Sequence, residues 1–482
     1  MSGSRRVPDP DPELDVSLDI AVPERLALGR GNAIFVLGSC AHRTRRVEGL
    51  EIEVEGRRVP VAASAMPRLD REAYRSGFWA IVPFGRRELD ADVGLSVVAR
   101  LAGGGERTAP LGEVRLAPNP EPAVVGGETI AICMATHNPD PGLFETQIAS
   151  IREQSDRDWV CVVSDDCSDP QSFERIGEVL SGDARFSVSR SGARLGFYRN
   201  FERALGLAPP TAGLVAIADQ DDRWHPGKLA TLREALGPAR LVYSDQRVVT
   251  PGGEVLSGTY WSKRRNNHTN LASLLISNTV TGAASLMRHD LLDDALPFPE
   301  VLGEPYHDHW LGLVALCSGE IAYVDRPLYD YVQHENAVLG HAGANTVEGR
   351  SGMAWLGRLK RGERPAVGWR SLYFFEYCRL ALFATVLLLR CGERMPAAKR
   401  AALESFLGAE SSPRSFAWLA SRSARALLGH NETLGAERRL AAGIVWRHAL
   451  PLLAGARRGR HGRLAHDASL PDRPPRDRPQ PQ

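Results

Sequence analysis

Asp219-Gln220-Asp221-Asp222 places three carboxylates within four residues, directly behind the apolar run Leu-Val-Ala-Ile-Ala. Anionic side chains crowded at a strand end repel one another, and hard oxygen donors of this kind suit Mg2+ or Mn2+. A cation held there would bridge two phosphates and neutralise a diphosphate leaving group. Asp221 and Asp222 are the candidate ligands. The plainer reading is a solvated acidic turn whose Asp222 caps a helix starting near His225-Pro226.

Three further clusters carry polar chemistry. Asp165-Asp166-Cys167-Ser168-Asp169 ends another apolar run, and carboxylates there can accept hydrogen bonds from ribose hydroxyls or a base imide. The same residues also read as an Asp/Ser cap for a helix over 171–180. Asn278-Thr279-Val280-Thr281-Gly282 and then Tyr306-His307-Asp308-His309-Trp310 form the third cluster. Asp308, flanked by two histidines, suits a general base that takes the proton of a sugar hydroxyl. Its alternative is a cap on a helix at Trp310. The fourth cluster, residues 331–336, includes His334 and reads as a loop closing over phosphates.

These clusters need elements to hold them. From 129 onward, continuous apolar runs (129–136, 159–166, 213–218) alternate with helical patterns (143–153, 171–180, 198–207), as strands buried on both faces alternate with crossover helices. The expected fold is α/β, a mostly parallel nucleotide-binding sheet over 129–349. Ligands bind such sheets at the carboxyl ends of the strands. Thr136-His137-Asn138, Asp165-Asp166 and 219–222 all fall there. Residues 17–118 show short alternating runs between glycine-rich turns, which predicts an all-β sandwich-like domain. A linker over 119–128 follows it. Residues 350–466 read as a helical, basic region, and the proline-rich ends, 1–16 and 467–482, as disordered.

Composition narrows the class. The 482 residues carry a net charge of only +1, so a nucleic-acid partner is not expected. The charge is unevenly placed: about 23 Lys and Arg against about 10 Asp and Glu follow residue 350. Seven scattered cysteines show no metal or disulfide spacing, which suits a reducing compartment. The N-terminus lacks the apolar core of a secretory signal, and the apolar run 380–389 is about half of the ~20 residues that span a bilayer. A soluble, cytoplasmic protein is expected. A last helix, near 436–453, carries Arg438, Arg439 and Arg447; it either rests on anionic lipid, as a peripheral anchor, or packs its apolar stripe on the protein.

In sequence order, the residues over about 129–341 resemble a family 2 glycosyltransferase with the GT-A fold, in its rhamnosyltransferase-like branch. The pattern comprises Thr136-x-Asn138, Gln154, Asp165-Asp166-x-Ser168, Leu195-Gly196-Phe197 with Asn200, Asp219-Gln220-Asp221-Asp222 and Tyr243-Ser244-Asp245. It continues with Thr281-Gly282, His307-Asp308-x-Trp310 and Tyr331-x-Gln333-His334. The resemblance implies that Thr136, His137, Asn138, Asp165, Asp166, Asn200 and Asp219 line the donor nucleotide. Asp221, with Asp222 and His334, would hold Mg2+ or Mn2+; Asp308 would be the base of an inverting displacement. Thr281, Gly282, His307 and Trp310 would line the acceptor side. A dTDP-, UDP- or GDP-linked hexose or deoxyhexose, rhamnose among them, would pass to a glycan or lipid-linked glycan in surface-polysaccharide synthesis. His137 stands where an aromatic residue is common, and the Gln-x-x-Arg-Trp motif of processive synthases is missing. Three other readings compete: a sugar nucleotidyltransferase, an inert glycan-binding protein built on the β-domain, and a scaffold.

Overall fold

The structure, a computed structural model, describes residues 12–68, 75–118, 126–261, 264–334 and 370–455. Residues 1–11 and 467–482, most of the linker and residues 350–369 of the expected helical region lie outside them.

The N-terminal strands are β1 (Leu14–Leu18), β2 (Arg25–Ala27), β3 (Gly31–His42), β4 (Val47–Val54), β5 (Arg57–Pro60), β6 (Ala63–Pro67), β7 (Arg75–Gly85), β8 (Ala91–Leu101) and β9 (Glu106–Ala117). They form two sheets, β1-β3-β7-β6 and β2-β9-β8-β4-β5, so the expected sandwich is present. β1 starts inside the stretch expected to be disordered. β9 was hidden in the sequence by Pro110 and Gly112. The pairing skips Leu111 between Gly112 (opposite Leu95) and Pro110 (opposite Ser96), so a bulge accommodates a proline that a regular ladder would reject.

β3 is buried along its first ten residues. Ile34, Val36 and Cys40 point into the sandwich core, while Ala33, Phe35 and Leu37 join the core of the rest of the chain. The sandwich is therefore fused to the core of the rest of the chain rather than strung beside it.

The second unit contains β10 (Ile130–Thr136), α1 (Pro141–Arg152), β11 (Trp159–Asp165), α2 (Pro170–Leu180), β12 (Phe186–Arg190), α3 (Phe197–Gly206), β13 (Leu214–Ala218), β14 (Arg223–Trp224), α4 (Lys228–Leu236), β15 (Leu241–Val249) and β16 (Val255–Ser257). It continues through α5 (Leu271–Ile276), a 3-10 turn (Gly282–Ala284), β17 (Ser285–Arg288), α6 (Leu292–Ala295), α7 (His307–Ser318) and β18 (Ile321–Val332). The sheet order is β12-β11-β10-β13-β17-β15-β18-β14. The first four strands are parallel, as expected. The other half is mixed, with β17 antiparallel to both β13 and β15. A strand inserted without a crossover helix leaves no βαβ signature to read.

A π-helical turn (Leu372–Tyr377) runs into α8 (Cys378–Cys391), followed by α9 (Ala397–Leu407), α10 (Pro413–Arg422) and α11 (Ala436–Gly455). The helix over Leu372–Cys391 has 20 residues and is long and apolar enough to cross a membrane, which corrects the shorter estimate from the apolar run. Here it is a core element: Tyr373, Phe374, Phe383 and Leu387 are fully buried, and it lies against β3, β7 and α7. Leu440, Ile444, Trp446 and Leu450 of α11 are also buried against the protein, and Arg439 and Arg447 pair with Glu376 and Glu410. Of the two readings of that helix, its apolar stripe takes the packed one.

Candidate active site

The parallel strands run β12-β11-β10-β13, so the winding reverses between β10 and β13. At such a point the crossovers leave on opposite faces and a crevice opens at the carboxyl ends. Thr136-His137-Asn138 and 219–222 occupy those two ends. Gln220 ties them together: its Oε1 accepts from the His137 N–H at 2.9 Å. Asp140 and Asp169 cap α1 and α2, each followed by a proline at the first helical position, and so fix where the loops end. Asn138 (φ 40°) and Cys167 (φ 56°) both hold left-handed backbone in these loops, a conformation that persists only where surroundings enforce it.

The residues expected on the nucleoside side are brought together, but most face one another. The Asp165 carboxylate accepts from Thr136 Oγ1 (3.2 Å) and from the N–H and hydroxyl of Ser168. Asp166 accepts from the N–H groups of Leu195 and Gly196, clasping the loop before α3. Asn200 is 2% exposed; its amide donates to the Thr136 and Ser164 carbonyls and accepts from the Ser164 hydroxyl at 2.7 Å. Thr136 and Asn200 thus brace β10, β11 and α3. His137 and Asn138 remain at the crevice surface, with His137 Nδ1 2.9 Å from the Asp166 carbonyl.

At the acidic strand end, Asp219 is pushed up to about 7 by burial, with the charges of Asp221 and Asp308 adding to it. Asp221 is 2.9 Å from His334 Nε2, and that hydrogen bond raises the imidazole above its ordinary value against the effect of burial. Asp222 behaves differently. It is 1% exposed, its carboxylate meets the backbone N–H of Val332, and burial, with the charges of Asp219 and Asp221, raises it well above the ordinary range. As placed, Asp222 neither caps α4 (whose cap residue is Gly227) nor opens to the crevice. Among the described residues no three His, Cys, Asp or Glu side chains form a ready metal cage. Mg2+ and its relatives are ordinarily held by one or two carboxylates plus substrate phosphates. Asp221 with His334, and the under-compensated Asp219 beside them, fit that mode.

Asp308 lies in the first turn of α7. It accepts from its neighbour His309 N–H (2.6 Å) and from Asn278 Nδ2 (3.1 Å). Burial lifts it to about 7, opposed by the N–H groups of His309 and Gly282. A carboxyl so placed changes charge near neutrality, as a general base working there would need to. Its neighbours are structural. His307 stacks on Phe201 with centroids 3.7 Å apart, and burial holds its imidazole down near 3. Trp310 is fully buried and donates to the Ala295 carbonyl at 2.9 Å. As placed, both side chains face the core and not the crevice. Gly282 is where chemistry needs a glycine, because a Cβ there would lie 2.5 Å from His307 Nε2. Thr281, half-buried, precedes the turn.

Residues 131–296, which carry the strand ends and the acidic turn, match the model of Glycosyl transferase family 2. The chain carries a family 2 glycosyltransferase domain. The match ends before Asp308 and His334. A Sinorhizobium fredii protein, described only as uncharacterized, is 28% identical over 131 residues, 26% of this chain. The chain spans 14% of that relative's length. Among solved structures, S. aureus TarS 1–349 in complex with UDP-GlcNAc aligns over 67% of this chain and 92% of its own, at 18% identity and TM-score 0.39. A mannosyltransferase from Pyrobaculum calidifontis, in complex with GDP-Man and Mn2+, aligns over 68% and 90%, at 16% identity and TM-score 0.33.

Two features of the transferase domain escaped the sequence reading. Asp330 on β18 gathers Arg247 Nε (2.7 Å), Arg223 Nε (2.9 Å) and His225 Nε2 (3.0 Å). Burial pushes its carboxyl up, but these hydrogen bonds outweigh it and hold it well below the usual range. Lys228, fully buried, sits behind the acidic turn. Both lie in unremarkable sequence, and only the β14–β18 pairing and the fold of α4 bring them in.

Proposed function

We propose that this protein is an inverting, metal-dependent glycosyltransferase that moves a hexose or deoxyhexose from a nucleotide-sugar donor to a hydroxyl of a glycan or lipid-linked glycan. The observation that carries the reading is the convergence of Asp219, Asp221 and Asp308 on one crevice at the strand-order reversal of a family 2 domain. Asp308 is the base: ionised, it takes the proton of the acceptor hydroxyl as that oxygen attacks the anomeric carbon. Asp221 and His334, beside Asp219, would hold the divalent cation, which neutralises charge on the departing diphosphate. His137 and Asn138, the crevice-facing members of the nucleoside set, would meet the donor; Thr136, Asp165, Asp166 and Asn200 hold the loops that present it. Seven unpaired cysteines, six of them buried, suit a reducing compartment, and we place the enzyme in the cytoplasm. Lipid contact, where it occurs, is peripheral. The sugar is a member of the UDP, dTDP or GDP pool, with rhamnose the candidate that the rhamnosyltransferase-like motifs favour.

The test is calorimetric binding of UDP, dTDP and GDP, each with and without Mn2+, to the wild type and to Asp221→Ala. One nucleotide should bind in a metal-dependent way, and the variant should lose that binding. Folded protein that binds none of the three refutes the transferase reading.

A further inference from the structure

The acidic turn has a buried companion. Lys228 is the first residue of α4, and its ammonium is fully buried. A cation at a helix N-terminus opposes the helix dipole, and desolvation adds to the cost. Burial pushes the amine well below the ordinary lysine range, opposed by the nearby Asp222 and Asp219 carboxylates; a lysine kept in such a place is held by what surrounds it, and such local conflicts mark functional positions. Nζ lies 3.4 Å from the centroid of the Trp224 ring and 4.8 Å from that of Tyr329. It donates to the carbonyl of Ala283. Trp224 closes the acidic segment 219–224, whereas Ala283 belongs to the Gly282–Ala284 turn. The N–H of Gly282 in that same turn faces the Asp308 carboxylate.

We propose that Lys228 is a positioning residue, which ties the acidic strand end to the Gly282–Ala284 turn and thereby sets where Asp308 stands relative to the donor's phosphate side. The aromatic pair and the carbonyl give its ammonium a single station, so the two halves of the mixed sheet are registered at the point where donor and acceptor meet. The turn can approach α7 closely because Gly282 has no Cβ to strike His307. Lys228 is sealed from the crevice and touches neither substrate; its effect passes through Ala283 and Gly282.

This inference rests on the transferase reading above, and the test separates the two. Lys228→Met keeps the apolar stem and removes both charge and donor. Lys228→Gln keeps a donor for the Ala283 carbonyl without the charge. We expect Lys228→Met to bind nucleotide and Mn2+ within about threefold of wild type, with KM values similarly unmoved, while kcat falls at least tenfold. Lys228→Gln should be at least threefold faster than Lys228→Met. A Lys228→Met enzyme with wild-type kcat overturns the proposal. So does loss of nucleotide binding in step with kcat in either folded variant, which is the signature of general structural damage. If Lys228→Met does not fold, Lys228→Gln decides alone: kcat reduced with KM unmoved supports the link, and unchanged kcat overturns it. Failure of the wild type to bind any nucleotide would sink the transferase reading instead.

Discussion

Replacing Asn278 should move the pH profile of the reaction without touching the base itself. The Asp308 carboxylate receives the Asn278 amide at 3.1 Å, besides the N–H groups of His309 and Gly282. A hydrogen bond to a charged group is worth ~1.5–3 kcal/mol, and water entering the gap returns part of it. At 1.36 kcal/mol per unit, Asn278→Ala should lift Asp308 from about 7 by ~1 unit. On the proposed mechanism transfer needs Asp308 ionised, so a higher value costs rate on the acid side only. At pH 6.5 the ionised fraction, and with it kcat, should fall roughly eightfold, while the alkaline plateau stays within about threefold. Asn278→Asp should go further, since it keeps an acceptor for the Val280 N–H (2.9 Å) but sets a second negative charge beside the base. Release of nucleoside diphosphate at saturating donor and acceptor, from pH 5.5 to 9.5, reads both variants. An acid limb that stays in place while the plateau drops would show that Asp308 is not the group whose ionisation limits transfer.

Two other outcomes follow from buried charge. Asp219 ionises at about 7 in the folded protein and near 3.9 unfolded. Between those values the native state binds more protons, so this group's contribution to stability falls as pH rises through that window. Asp219→Asn should therefore gain stability relative to wild type from pH 4.5 to 8 without metal; urea titrations at several pH values would show a flat difference if the carboxyl were ordinary. Arg390 donates to four backbone carbonyls, of Gly31, Asp294, Ala295 and Pro297, at 2.6 to 3.0 Å. Arg390→Met should cost ~3–5 kcal/mol by stranding those acceptors in a dry site; a urea midpoint unchanged from wild type would refute that.

The half of the fold built by propagating βαβ units was legible, because β10, β11 and β13 are buried apolar runs and α1 and α2 start at Asp-Pro caps. β10, α1, β11, α2, β12, α3 and β13 fall close to where periodicity puts them. The other half was not, since β17 has four residues and enters the sheet by local reversal. The site divides on similar lines. Carboxylate clusters announce themselves by type and spacing, so Asp219, Asp221 and Asp308 were readable. Spacing is silent on direction, however. Asp222 follows Asp221 by one residue yet turns into the core, and His307 precedes Asp308 yet stacks on Phe201. The expectation that a polar residue in a motif faces the ligand fails wherever the strand end must also be braced, as Asn200 and Asp165 show.

The sandwich domain bears on function through its outer face. Among glycan binding, oligomerisation and bracing of the neighbouring domain, the packing favours the last. Phe35, Leu37 and Trp79 leave the sheet on the side away from the sandwich core and join the core shared with α8 and the transferase domain. Burying each is worth ~1.5–3 kcal/mol, so uncovering the three would cost about as much as a whole domain's net stability. Polar locks make the joint specific: Trp79 Nε1 donates to the Tyr373 hydroxyl at 2.8 Å, and the buried Asp294 accepts from Arg30 and Arg394. Asp294 and Ala295, the carbonyls that Arg390 holds, end α6, and Trp310 of α7 donates to the same Ala295 carbonyl. Two residues before Trp310 stands Asp308. The outer face of the β1-β3-β7-β6 sheet is thus spent on fixing the helix that carries the proposed base.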